Sequence, residues 1–234
     1  MTGDGAAAWP RRSLHGRRSG KKLGPSQVRL MQSLLPQLRI AGVRATENPD
    51  RTALAGQALF GDARPIWLEI GFGAGEHLVH QAQANPDIGL VGCEPFVNGV
   101  AAALGRIEAA GIGNVRLHPG DARDLIEVLP AGLLGRVFLL YPDPWPKRRH
   151  SGRRFASREN LALLRPAMAA GAELRIATDI AGYAAHALAE VAASPGWRIE
   201  RDTTVPWEGW CGTRYEAKAL LAGRVPRYLT FVRV

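Results

Sequence analysis

The sequence has few cysteines and no long uncharged apolar run. Its 234 residues contain only two cysteines, Cys93 and Cys211, which are too few for a cysteine-based metal cluster. No stretch approaches the ~18 consecutive apolar residues that a membrane span needs, and the alanines at 6–8 are too short for an apolar targeting segment. We therefore expect a soluble, cytoplasmic protein that does not insert into a membrane.

The histidines also lack the spacing of a metal site. His77 and His80 would share one face of a helix, but we find no acidic partner for them in the sequence. Cys93 lies in an apolar run and is expected in the core. The sequence therefore predicts no bound metal.

Two basic segments contain no acidic residue at all. Residues 11–22 include six Lys or Arg and residues 147–154 include five. The positive charge of these two segments together is larger than the net charge of the whole chain, +9. A charge concentrated in this way is typical of a protein that binds a polyanion, and nucleic acid is the leading candidate. A solvated tail and a solvated loop are the alternative interpretation.

The chain divides into three parts. Residues 1–24 are basic, contain glycine and show no apolar periodicity, so we expect a disordered arm that could order on binding nucleic acid. Residues 25–64 are predicted to form a helical lead-in, with a helix from Ser26, as its cap, to about Leu38 and with Pro36 marking its end. Residues 65–234 form the predicted catalytic domain.

This domain alternates strand-like and helix-like runs. Such alternation predicts an α/β fold with a mostly parallel seven-stranded sheet and helices on both faces. No long apolar helix separates the last two strands, which favours an antiparallel hairpin at the sheet edge. The predicted strands are 66–70, 88–93, 115–118, 136–141, 172–177, 197–202 and 227–233, and the predicted helices are 75–84, 96–110, 156–169 and 180–193.

The glycines after the first strand predict a cofactor site. Gly71, Gly73 and Gly75 follow directly on an apolar run, as in a strand that turns tightly into a helix whose N-terminus faces a ligand. Glu94 ends the next strand nineteen positions later, near the offset of a carboxylate that binds ribose hydroxyls. A turn that needs glycine only for packing remains the alternative.

Carboxylates at successive strand ends indicate which cofactor binds there. Glu69, Glu94 and Asp121 all end predicted strands, where acidic groups are costly unless they meet a ligand. The glycine spacing departs from the dinucleotide fingerprint, and acidic groups suit a cationic ligand better than a diphosphate. S-adenosylmethionine, with its sulfonium, ammonium and ribose, fits these charges.

A proline-rich segment after the fourth strand predicts a base-binding site. Pro142, Pro144 and Pro146 fix the backbone and remove amide donors, which gives a stiff ledge at the carboxyl end of the strand. The ledge presents Asp143 and Trp145, a carboxylate beside an aromatic face, which can hold a flat heteroaromatic base. An ordinary turn with a core tryptophan is the alternative.

Taken together, these motifs resemble the tRNA (guanine-N7)-methyltransferase family of class I, Rossmann-like, S-adenosylmethionine-dependent enzymes. The matching segments span roughly residues 65–234. They are EIGFGAG at 69–75, GCEP at 92–95, Asp121, YPDPWPK with its basic continuation at 141–149, ATD at 177–179 and TRYE at 213–216.

The resemblance implies methyl transfer from S-adenosylmethionine to N7 of a guanosine in the variable loop of tRNA. It implies that Glu69, Glu94, Asp121 and Asp143 line the cofactor pocket, and that Asp143 also faces the guanine as the catalytic residue. Because similar sequences often have asparagine at position 121, Asp121 is not expected to transfer protons. The implied substrate-binding residues are Lys147, Asp179, Thr213, Arg214, Tyr215 and Glu216, and Arg148, Arg149, Arg153 and Arg154 would bind the RNA backbone.

Three alternative functions are compatible with the sequence. A methyltransferase acting on an exocyclic amine would use a similar ledge. The glycine spacing disfavours an NAD-dependent oxidoreductase, and the complete set of acidic residues disfavours an inactive RNA-binding module. The sequence leaves the choice between monomer and homodimer open.

Overall fold

A computed structural model describes residues 14–234. Seven strands form one sheet in the order β3-β2-β1-β4-β5-β7-β6, parallel except for β7, which pairs antiparallel with both β5 and β6. The strands are β1 (Ile66–Ile70), β2 (Gly89–Cys93), β3 (Val115–His118), β4 (Leu134–Leu140), β5 (Met168–Thr178), β6 (Trp197–Thr203) and β7 (Arg227–Arg233). The predicted parallel sheet with an antiparallel edge is confirmed.

Eight α-helices are described within residues 14–234. They are α1 (Pro25–Ser33), α2 (Leu35–Leu38), α3 (Glu76–Ala84), α4 (Val97–Ala110), α5 (Ala122–Ile126), α6 (Arg158–Ala167), α7 (Ala181–Ala192) and α8 (Arg214–Leu221). Short 3-10 helices cover Gly56–Ala58 and Arg148–Arg153. Across this part of the chain, no helix has the length and apolar character needed to cross a membrane.

The sheet separates two apolar clusters. Leu90 and Val91 are consecutive in β2 yet belong to different clusters, because successive side chains of a strand point to opposite faces. One cluster packs β1 and β4 against α5, α6 and α7, and the other packs β2 and β3 against α1, α3 and α4. Burial on both faces fixes the strand register and holds the carboxyl ends of β1, β2 and β4 side by side.

The region before the sheet differs from the prediction in its details. Helix α1 begins at Pro25, with Gly24 rather than Ser26 at its N-cap. Pro36 does not end a helix but lies in the first turn of α2, where its missing N–H costs nothing. The described part of the predicted arm, residues 14–24, is irregular and hydrogen-bonded to α4, and residues 1–13 lie outside the described residues.

Two helices of the second half were not predicted. Helix α5 follows β3, and α8 lies between β6 and β7, where the sequence led us to expect a loop. Only Glu216 and Ala219 of α8 are buried, so this helix has no apolar stripe that would reveal its period.

Candidate active site

A cavity of about 410 Å³ opens at the carboxyl ends of β1, β2 and β4. This volume lies in the range of small-molecule sites. The residues that line it come from the turn after β1, the end of β2, the segment after β4, the start of α8 and the chain at residues 15–17. They include Gly71, Gly73, Glu94, Phe96, Tyr141, Asp143, Trp145, Arg153, Arg214, Tyr215, His15, Gly16 and Arg17.

The glycine turn after β1 forms one wall of the cavity. Gly71 and Gly73 have φ angles of 73° and 58°, which favour glycine, and a side chain at Gly71 would point into open space. Gly75 does not line the cavity. It is the N-cap of α3, and a Cβ there would lie 2.7 Å from the Cβ of Ala103 in α4. The structure thus gives Gly71 and Gly73 contact with the cavity, and gives Gly75 a packing contact.

Glu94 fixes this wall to the end of β2. Its Oε2 accepts a hydrogen bond from the Gly73 N–H at 2.7 Å, and its Oε1 accepts one from the Phe96 N–H at 2.9 Å. Burial raises the pKa of the Glu94 carboxyl, although both hydrogen bonds oppose that shift. The carboxylate is therefore held in one orientation at the edge of the cavity.

Glu69 lies deeper and has an acid–base partner. Its Oε2 is 2.7 Å from Nδ1 of His77, and both side chains are almost fully buried. Our expectation that His77 has no acidic partner was wrong, because the glycine turn folds α3 back over the end of β1. Glu69 does not line the cavity itself, and the ring of His77 contacts Phe138 and Trp210.

Asp121 caps α5. Its carboxylate accepts from the Arg123 N–H at 3.0 Å and forms an ion pair with the Arg123 guanidinium, so it also lies outside the cavity lining. In this position the carboxylate stabilises the start of a helix.

The proline ledge forms the opposite wall. Tyr141 and Trp145 have positive φ angles of 48° and 41°, an uncommon conformation for residues with side chains. The Arg154 side chain donates to the carbonyl oxygens of Pro144 and Trp145 at 2.9 and 3.2 Å, which holds the ledge in this shape. Asp143 is exposed on this wall.

Trp145 is surrounded by basic residues. The Arg153 guanidinium lies 4.9 Å from the centroid of its ring, and the His15 and His150 rings meet its edge at 6.1 and 5.9 Å. Cations over an indole face are attracted to its π electrons. Arg149 is exposed nearby, and only the backbone of Arg148, in the 3-10 helix, is described.

Residues 15–17 line the cavity, which the sequence did not predict. The Val97 N–H donates to the Arg18 carbonyl at 2.9 Å, and the side chain of Asn98 bonds to the backbone of Gly20 and Lys21. These contacts bring Arg17 to the cavity wall. No periodic or capping signal marks this segment in the sequence.

The predicted segment 213–216 divides into two kinds of residue. Arg214 and Tyr215 line the cavity, whereas Thr213 caps α8 by accepting from the Glu216 N–H at 3.1 Å. Glu216 is buried and bonded to protein groups. Of the other predicted substrate residues, Lys147 is exposed just beyond the ledge, and Asp179 is paired with Arg224 at 2.6 Å.

Among residues 14–234, no group of three or more His, Cys, Asp or Glu side chains is arranged to hold a metal ion. The charged and aromatic side chains that line the cavity include the carboxylates of Glu94 and Asp143, the arginines Arg17, Arg153 and Arg214, and the rings of Tyr141, Trp145 and Tyr215.

The strand order, with a glycine turn after β1 and an acidic residue after β2, defines a class I methyltransferase fold. A solved structure with the same fold is a mutant of the 16S rRNA (adenine(1408)-N(1))-methyltransferase from Catenulisporales acidiphilia with cosubstrate SAM. It has a TM-score of 0.54 and 21% identity, over 78% of this chain and 93% of that one. TrmN from Thermus thermophilus has a TM-score of 0.54 and 18% identity, over 76% of this chain and 48% of that one.

Sequence relatives are much closer. Residues 63–225 match the family model described as "Putative methyltransferase". The chain is 52% identical over 224 residues to the tRNA (guanine-N(7)-)-methyltransferase of Paracoccus denitrificans, covering 96% of each chain. It is 54% identical over 228 residues to that of Ruegeria pomeroyi, again covering 96% of each. The chain belongs to the tRNA (guanine-N7)-methyltransferase family, as the sequence motifs indicated.

Proposed function

We propose that this protein transfers a methyl group from S-adenosylmethionine to N7 of a guanosine in the variable loop of tRNA. The names of its relatives support the reaction. The observation that carries the proposal is the pairing of two walls across one cavity. The glycine turn with Glu94 suits a nucleoside cofactor, and the ledge with Asp143 and Trp145 suits a base.

The cofactor wall, formed by Gly71, Gly73 and Glu94, fits S-adenosylmethionine on two counts. The space in front of Gly71 is open, and the Glu94 carboxylate is oriented by two backbone donors. When bound, the cofactor supplies an electrophilic methyl group on a sulfonium. We propose that Gly71, Gly73 and Glu94 contact it, with Asp143 at the opposite wall. Glu69, Gly75 and Asp121 would support this wall from behind.

The ledge would orient the guanine. Guanine N7 has an in-plane lone pair and no proton, so the transfer requires no general base, and positioning with electrostatics supplies the rate. Methylation makes the base cationic and its N1–H more acidic. Asp143, as a hydrogen-bond acceptor at that edge, would stabilise the charge that develops, and Trp145 would offer a stacking face.

The remaining predicted residues would hold the RNA around this base. Arg214 and Tyr215 line the cavity, and Arg153 lies over Trp145. Lys147 and Arg149 are exposed beyond the ledge, and with Arg148 between them in the sequence they would bind phosphates. Arg154 would act indirectly by fixing the ledge. Asp179, paired with Arg224, and Thr213, which caps α8, would support the substrate side.

The test is transfer of labelled methyl from S-adenosylmethionine to an unmodified tRNA transcript, followed by chain cleavage selective for N7-methylguanosine. Cleavage at one variable-loop guanosine is the expected result. A matched transcript with adenosine at that position should accept no label. Label without cleavage would instead indicate another atom, such as an exocyclic amine, and absence of label despite RNA binding would contradict the proposal.

A further inference from the structure

The carboxylate of Glu216 is bonded to protein groups through both of its oxygens. Its Oε2 accepts from Nε1–H of Trp210 at 2.7 Å and from the Thr213 N–H at 3.3 Å, and its Oε1 accepts from the Tyr228 hydroxyl. The residue is 9% exposed and does not line the cavity. A buried carboxylate with three donors in place has little capacity left for a ligand.

The groups that hold Glu216 are themselves fixed to the sheet. Tyr228 lies in β7, between β5 and β6. The Trp210 ring packs against the rings of Tyr228 and Trp207 at 5.7 and 5.5 Å, and Trp207 donates to the Thr230 hydroxyl at 2.9 Å. Glu216 therefore connects the first turn of α8 to a rigid strand through an aromatic cluster of Trp207, Trp210 and Tyr228.

The residues just before Glu216 reach the cavity. An Arg214 nitrogen lies 3.6 Å, and the Tyr215 ring 3.9 Å, from the point where a Cβ on Gly73 would sit. The Arg214 side chain donates to the Tyr215 hydroxyl at 3.1 Å. Because all three residues share one helical turn, the orientation of this turn sets where Arg214 and Tyr215 lie on the cavity wall.

The same cluster reaches the other wall. The Trp210 ring lies 5.3 Å from the ring of His77, whose Nδ1 is bonded to Glu69 below the glycine turn. Trp210 thus contacts His77, which lies below the glycine turn, and Glu216, which holds the first turn of α8.

We propose that Glu216 is a positioning residue. It holds Arg214 and Tyr215 on the cavity wall through Trp210 and Tyr228, and it does not contact the guanosine. This role departs from the substrate contact that the sequence motif at 213–216 implied for Glu216. The proposal rests on the proposed methyl transfer to tRNA for its kinetic readout, but not for its structural one.

The first test compares Glu216→Gln with Glu216→Ala. The glutamine oxygen can accept from Trp210 and Thr213, and its amide can donate to the Tyr228 hydroxyl once that hydroxyl turns to accept. We expect Glu216→Gln to keep kcat/KM within about threefold of wild type. Glu216→Ala should lose about 100-fold, as expected when a wall of the site is misplaced by about 1 Å. Equal losses in both variants would show that the charge itself acts on the substrate and would overturn the proposal.

A double-mutant cycle gives the second test. If Glu216 acts by positioning Arg214, the loss of kcat/KM caused by Glu216→Ala should be several-fold smaller in an Arg214→Ala background than in wild type. The reason is that the double variant has no Arg214 side chain left to misplace. Additive losses would contradict the proposal.

Tryptophan variants cover the case in which Glu216→Ala fails to fold. Trp210→Phe keeps an aromatic ring but removes the donor to Glu216. Trp197→Phe is a matched control, because the buried indole N–H of Trp197 has no partner among the described residues and lies away from the cavity. We expect Trp210→Phe to lower kcat/KM about tenfold with cofactor affinity retained, and Trp197→Phe to leave it unchanged. Indistinguishable results for the two would overturn the proposal.

Amide hydrogen exchange keeps this proposal separate from the proposed function. Exchange at the amides of Glu216 and Ala217, which donate to the hydroxyl and the carbonyl of Thr213, should accelerate at least tenfold in Trp210→Phe relative to Trp197→Phe. If the wild-type protein transferred no methyl to tRNA, the proposed function would fail. Unchanged exchange would then overturn the role of Glu216 independently.

Discussion

The two walls of the cavity are built in opposite ways. On the cofactor wall, Glu94 is bonded to two backbone amides and Glu69 to His77, so its acidic groups are oriented before any ligand arrives. On the ledge wall, Asp143 forms no hydrogen bond or ion pair with another residue of the described chain, and Arg149 is exposed. The cofactor wall is thus preorganised by its own fold, whereas the ledge wall presents Asp143 and Arg149 to a large partner.

The largest effect should come from the free carboxylate of the ledge. Asp143→Asn keeps the size of the side chain but removes the charge, so we expect about a 1000-fold loss of kcat, similar to the loss of one electrostatic contact to a transition state. Cofactor affinity, measured by calorimetry, should stay within tenfold. Asp87→Asn, an exposed position before β2 at the opposite end of the sheet, is the control. Unchanged turnover in Asp143→Asn would show that the charge of Asp143 takes no part in the reaction.

Acidic pH should lower the stability of the folded protein through His118, which lies beside Glu94 at the end of β3. The carbonyl of His118 accepts from the Glu94 N–H at 3.1 Å, and burial lowers the pKa of its imidazole from 6.5 to about 4. The unfolded chain therefore binds a proton between these values that the folded protein does not. The resulting loss of stability begins as pH falls below about 6.5 and is complete below about 4, with a total of about 3 kcal/mol.

Urea unfolding across this pH range measures the effect. His118→Gln should flatten the pH dependence by that amount relative to wild type. Parallel curves for the two proteins would show that His118 is not buried as a neutral group.

A smaller effect is expected from the preorganised carboxylate Glu94. In Glu94→Gln the amide group replaces one acceptor, so either the Gly73 or the Phe96 N–H loses its partner. We expect cofactor affinity to fall about tenfold, or about 1.4 kcal/mol. Glu108→Gln, which alters only an exposed ion pair with Arg29, should not change it. A loss in kcat with unchanged cofactor affinity would instead show that Glu94 acts on the substrate side of the cavity.

The same contrast explains what could be predicted from the sequence. Strands β1 and β7 were predicted at their observed bounds, and α3 and α4 to within one residue, because buried elements leave apolar periods in the sequence. Helix α8 was missed because its only buried residues are Glu216 and Ala219. The capping box of Thr213 and Glu216 was its one available signal.

Contacts within the site were harder to predict than its elements. The pairing of Glu69 with His77 depends on how a glycine turn folds back, and no spacing rule encodes it. Similarly, residues 15–17 reach the cavity because the segment 14–24 is held to α4 by the side chain of Asn98 and the backbone N–H of Val97, which no pattern in the sequence reveals. The assignment of individual residues to cofactor or substrate stays a prediction.

The smallest effect should distinguish two kinds of arginine on the ledge wall. Arg149 is exposed, and Arg149→Gln should remove about one phosphate contact. Affinity for tRNA would fall severalfold, the slope of log K against log salt would fall by about 0.7–0.9, and kcat would not change. Arg154 bonds instead to the carbonyls of Pro144 and Trp145, so Arg154→Gln should lower kcat while leaving the salt slope unchanged. Arg198→Gln, at an exposed pair with Glu200 on β6, is the control for both. If both ledge variants changed only the salt slope, the ledge would not depend on Arg154 for its shape. Both arginines of the ledge wall would then bind RNA phosphates.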